Sequence, residues 1–90
     1  MQRYLVIWNN DPEKTSNEVH MANNLDNLRK NLVQKYKDRR IRMSFGIYTE
    51  NGFAGTLLVG GGYGPVWQVP RANGLVKIYT VLSRTGKIKG

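Results

Sequence analysis

Arg40, Arg42, Tyr48, Lys77, Tyr79, Arg84 and Lys87 combine cationic and aromatic chemistry within the later part of a 90-residue chain. Cationic side chains neutralise phosphates and release condensed counterions, while phenol rings stack on unpaired bases. From residue 39 to 49 the sequence alternates, setting Arg40, Arg42, Ser44 and Tyr48 against Ile41, Met43, Phe45 and Ile47. Later, Lys77 and Tyr79 alternate with Val76, Ile78 and Leu82 in the same way. Two such strands in one sheet would turn a basic, aromatic face away from the core. The chemistry expected of that face is polyanion binding, with nucleic acid first among the partners. The competing account is a solvated antiparallel face, where Arg, Lys and Tyr are ordinary occupants.

A second constellation is the glycine-rich stretch Gly60-Gly61-Gly62-Tyr63-Gly64-Pro65, followed by Trp67. Successive backbone amides in such a run can cradle an anion. Neither familiar phosphate template fits. A P-loop requires Gly-Lys followed by Ser or Thr, and the one Gly-Lys pair, Gly86-Lys87, precedes Ile88. A dinucleotide fingerprint requires a helix straight after the glycines, whereas Pro65-Val66-Trp67 reads as extended. A hairpin connection is the better reading. Gly61, Gly62, Tyr63, Gly64 and Trp67 stay open as a ligand loop for a phosphorylated small molecule or a protein partner, which would make the chain an interaction or inhibitor protein.

Catalysis has little material. The chain holds no cysteine and one histidine, which excludes disulfides, thiolate nucleophiles and cysteine-type zinc sites. No metal and no cofactor are expected. Ser16, Ser44 and Ser83 lack a plausible histidine base nearby in sequence. A metal-independent, toxin-like ribonuclease using Arg40, Arg42, Lys77, Tyr79 and Arg84 is the minority alternative.

Charge supports the binding reading. The chain carries +8 overall, and residues 27–90 hold twelve of the fourteen basic side chains with only Asp38 and Glu50 against them. A basic surplus concentrated in one part of a small domain is the electrostatic footprint of a polyanion binder. The alternative is that excess charge merely keeps the protein soluble. No apolar run approaches a membrane span, and the N-terminal stretch Tyr4-Leu5-Val6-Ile7-Trp8 is too short for a signal peptide. A cytoplasmic protein of one domain, with residues 83–90 as a basic tail, is the expectation.

These residues need elements to hold them. Residues 3–8 read as a first strand with Tyr4, Val6 and Trp8 on one face. Thr15 and Glu18 fit a capping box, and apolar residues from Met21 to Tyr36 recur every three or four positions. The pattern predicts a helix over residues 16–38, with Arg29 inside the apolar arc and its guanidinium reaching past the core edge to water. Asn51-Gly52 predicts a two-residue hairpin turn that sets Phe45 opposite Leu58 and Ile47 opposite Thr56. Strands over residues 53–60, 66–70 and 75–82 follow, the last two joined at Asn73-Gly74. The fold class is α+β: an antiparallel sheet of four to five strands with one long helix packed on one face, in β-α-β-β-β-β order.

Overall fold

The computed structural model describes residues 1–9 and 17–71, and the backbone of residues 76–79, 81–82 and 88–89. The α+β class holds. The expected strands are β1 (Gln2–Trp8), β3 (Arg42–Thr49), β4 (Gly52–Gly60), β5 (Tyr63–Pro70) and β6 (Val76–Tyr79), with one helix, α1 (Leu25–Tyr36), between the first two. One further strand, β2 (Asn17–Ala22), pairs antiparallel with the outer edge of β1. The sheet is six-stranded and antiparallel, in the order β2-β1-β3-β4-β5-β6.

Strand β2 occupies residues where the capping-box reading placed the first turns of the helix. Glu18 is not a helix N3 residue; it sits in β2 opposite Val6. The true cap is Asn24, whose side-chain oxygen accepts from the Asn27 amide at 2.8 Å. Asparagine is among the best residues for this job, because its carbonyl satisfies a helix amide that otherwise has no partner. Asp26 in the first turn and Lys35 in the last match the helix dipole. Leu25, Leu28, Leu32, Val33 and Tyr36 form the apolar stripe. Met21 and Ala22 continued its spacing by coincidence, and pairing with β1 gives this segment ladder hydrogen bonds along one edge in place of helical ones.

The β3–β4 hairpin is shifted by one residue from the expected register. Its tip is Glu50-Asn51, with Thr49 opposite Gly52, Phe45 opposite Leu57 and Ile47 opposite Gly55. A one-residue slip exchanges the two faces of a strand, so burial decides between the registers. The observed one buries Leu57 and Val59 under the helix. It also seats Trp67 over Gly55. That glycine has φ +155, and a Cβ there would lie 2.7 Å from the indole ring and 2.5 Å from the Gln68 carbonyl.

The core lies between α1 and one sheet face. Leu28, Leu32 and Tyr36 of the helix meet Tyr4, Val6, Met43, Phe45, Ile47, Leu57, Val59 and Trp67 of the sheet. Arg29 also turns into this core instead of reaching water. It is only 5% exposed, its guanidinium lies 4.6 Å from the Trp67 ring centroid, and it pairs with Asp26 one turn earlier. The ring face attracts the cation, and the short span to Asp26 holds it back from the rim. Burial pulls its pKa well below the ordinary arginine range, to about 10.

Beyond β6, the segment expected as one strand divides. Residues 81–82 form β7 (Val81–Leu82), which pairs with β8 (Ile88–Lys89) in a separate two-stranded ladder, so part of the expected tail is paired backbone. Thr15, Asn73-Gly74 and residues 83–87 lie outside the described residues.

Candidate functional site

The structure does not gather the basic and aromatic residues onto one sheet face. Arg40 is exposed in the link between α1 and β3, before the strand begins. Tyr48 does lie on the face away from the helix, where its ring meets Phe53 at 5.2 Å. Lys77 and Tyr79 stand in register with Val69 and Trp67, whereas Tyr48 belongs to the opposite row of positions. Arg84 and Lys87 lie outside the described residues. Of the residues named for a ribonuclease, the four described ones are spread over a link, a strand start and an edge strand.

Arg42 has a structural task. Its guanidinium donates to the carbonyls of Gly60 at 2.8 Å, Tyr63 at 3.1 Å and Gly64 at 2.9 Å, and lies 5.7 Å from the Tyr63 ring centroid. The glycine-rich stretch is the hairpin between β4 and β5, with Gly61 and Gly62 as its tip at φ +70 and +78. Both angles are left-handed, as a tight antiparallel turn requires. The Gly61 amide donates to the Arg39 carbonyl at 2.9 Å, tying the turn to the chain that leaves the helix. Carbonyls converging on a guanidinium have the opposite polarity to amides converging on a phosphate. Tyr63 is exposed at this turn, whereas Trp67 is in the core.

The open sheet face is apolar in character. Leu5, Val19, Met21, Tyr48 and Phe53 are all exposed, Val19 by 65%. The positive charge is displaced to the end of the molecule where α1 stops. Lys35, Lys37, Arg39 and Arg40 are exposed there, with Asp38 among them. The Lys35 ammonium is held above its ordinary range, first by a hydrogen bond with the Tyr36 side chain, and so stays charged. Arg39 and Lys35 both stand over the Tyr36 ring, at 5.6 and 5.2 Å from its centroid.

Beside this cluster is a cavity of about 210 Å³ between the helix end and strands β1, β2 and β3. Val6, Trp8, Tyr36, Met43 and Phe45 line it, with Glu18 and Arg39 as its charged members. The Trp8 indole N–H is buried and meets no acceptor among the described residues. Glu18 gives one carboxylate oxygen to His20 at 2.7 Å. A broader hollow of about 510 Å³ around Met1, Arg3, Met21 and Glu50 has no aromatic wall.

No family model, curated protein or solved structure matches this chain. Its chemistry is therefore read from geometry. Among the described residues, no group of three His, Asp or Glu side chains is placed to hold a metal, and no helix is long and apolar enough to cross a membrane.

Trp8, Glu18, Tyr36 and Arg39 were not singled out as site residues by sequence. Trp8 and Tyr36 carried the signal of core positions, and Glu18 that of a helix cap. Only the strand identity of residues 17–22 would have brought Glu18 beside β1. The Tyr36-Lys37-Asp38-Arg39-Arg40 run was the readable clue, since it follows directly on the apolar stripe.

Proposed function

We propose that this chain is a small binding module for polyanions, nucleic acid first, and that phosphates are engaged at the end of the sheet where the helix stops. The observation that carries the reading is the exposed set Lys35, Lys37, Arg39 and Arg40, spaced within two turns of chain and interrupted by one acid, Asp38. Such a cluster raises the local concentration of polyanions and replaces their counterions. Arg42, held on the adjacent turn, adds charge but keeps its hydrogen bonds at home.

Fluorescence anisotropy with short single- and double-stranded DNA and RNA at two salt concentrations tests this. Affinity should fall steeply with salt, and the double change Arg39→Ala, Arg40→Ala should lower the salt slope by about one per lost contact. Tyr48→Ala, on the open face, should leave affinity unchanged. Absence of binding at low salt, or a double variant that binds as the parent does, refutes the proposal.

The open face supports a second reading, association between two copies. Strand β2 is one of the two edges of the sheet, and Val19 and Met21 expose apolar surface on it. Exposed edges of this kind pair with other chains unless blocked. Light scattering that shows a concentration-dependent dimer, abolished by Val19→Lys, would establish it; a monomer at all concentrations would exclude it.

A further inference from the structure

We propose that the cavity lined by Trp8, Tyr36 and Phe45 takes one unpaired nucleobase, an inference that rests on the nucleic-acid reading above. Its volume of about 210 Å³ falls below the roughly 300 Å³ at which pockets for drug-sized ligands begin, so it is scaled to a single ring system. Its walls are aromatic. Trp8 is half-buried and offers the stacking surface, and Tyr36 and Phe45, 5.0 Å apart and largely buried, back the cavity from the core.

The polar groups suit the Watson–Crick edge of a base. Every base presents there at least one acceptor and one donor. The Trp8 N–H is a buried donor without a partner among the described residues, and a turn of the indole toward the cavity would bring it to an acceptor there. Glu18 supplies the complementary acceptor, since His20 uses only one of its two carboxylate oxygens. A base already paired in a duplex has no free edge to offer, so the pocket selects single strands.

The surroundings fit the rest of a nucleotide. Arg39 lies at the pocket and over Tyr36, and Lys35, Lys37 and Arg40 continue the positive surface outward. A strand whose base enters the cavity would have its flanking phosphates carried over these cations. Stacking plus a basic track is the general solution for single-stranded ligands.

The test compares a short oligoadenylate with an abasic oligonucleotide of the same length and charge, at low and moderate salt. The oligoadenylate should bind on the order of tenfold more tightly, and its duplex form should lose that advantage. Trp8→Phe keeps a ring and removes the unpartnered N–H, so folding should survive while the base-dependent advantage shrinks. Glu18→Ala, at an exposed strand position, should shrink it too. Equal binding of both oligonucleotides with a retained salt slope overturns the pocket and leaves the polyanion reading standing. An advantage that survives both variants places base recognition elsewhere and also overturns the pocket. No binding of either oligonucleotide at low salt defeats both proposals together.

Discussion

Replacing Arg29 by methionine should stabilise this protein. The guanidinium is almost fully buried, and burial draws its pKa well below the ordinary arginine range, to about 10, a penalty on the charged form. At about 1.36 kcal/mol for each tenfold change in proton affinity, that cost is about 3 kcal/mol. The Trp67 ring returns about 0.5–2 kcal/mol and the pairing with Asp26 about 0.2–0.5 kcal/mol. Methionine fills similar space, keeps contact with the indole through its sulfur, and carries no charge. A gain of about 1 kcal/mol remains, in line with other buried ion pairs replaced by apolar groups. For a domain of this size that is a rise in Tm of about 4–8 °C. Urea unfolding followed by tryptophan fluorescence is the assay, and an unchanged m-value would show that only stability moved.

The pH dependence gives an independent check. Below pH 10 Arg29 is charged in both the folded and unfolded chain, so its cost is fully present and the methionine variant keeps a constant lead. Above about pH 10 the folded chain begins to release the proton that the unfolded chain still holds, so parent stability rises with pH relative to the variant. The lead should therefore shrink in that window. A methionine variant that is less stable than the parent by about 1 kcal/mol or more would refute this account and make the charge a net stabiliser.

Three further outcomes follow from the fold. Gly55→Ala should cost about 1–3 kcal/mol from backbone strain alone, with more from displacing Trp67, read as a drop in urea midpoint and a red-shifted indole emission. Asn24→Ala should cost about 0.5–2 kcal/mol by removing the helix cap, while Glu18→Gln should leave helix content by circular dichroism unchanged. Arg42→Ala should cost about 1.5–3 kcal/mol by leaving turn carbonyls without their donor, and thermal melts should show this in the absence of any nucleic acid.

The parts of the fold legible in the sequence are those where burial and local geometry agree. Tyr4 and Val6 in β1, the stripe from Leu25 to Tyr36, and the alternation of Met43, Phe45 and Ile47 each show one period and one buried face. Residues 17–22 misled because Val19, Met21 and Ala22 satisfy both a strand and a helix, and only pairing with β1 across the sheet selects between them. The hairpin register depended on tertiary burial of Leu57 and Val59, which outweighed the turn signal at Asn51-Gly52. Basic character was readable, but its placement was not. Arg42 has the alternation of a surface residue, and its capture by the carbonyls of residues 60–64 depends on the path of the turn opposite. The aromatic cavity was hidden for the same reason, since its walls come from four elements.

The strand order has a consequence for how the molecule opens. Each of the joins β1–β2, β3–β4, β4–β5 and β5–β6 links consecutive strands, and only β1–β3 brings distant chain together. That seam holds four register pairs, from Leu5 with Tyr48 to Trp8 with Phe45, half the number in the β3–β4 hairpin. Non-local pairing of this sort forms late and yields early, so β1 and β2 should detach as one cooperative unit, with amide exchange faster there than in the four-strand meander. The aromatic cavity straddles the seam: Val6, Trp8 and Glu18 stand on one side, Met43 and Phe45 on the other. Any molecule that fills it grips both halves, so occupancy would register as slowed exchange along the whole of β1, well beyond the residues it touches.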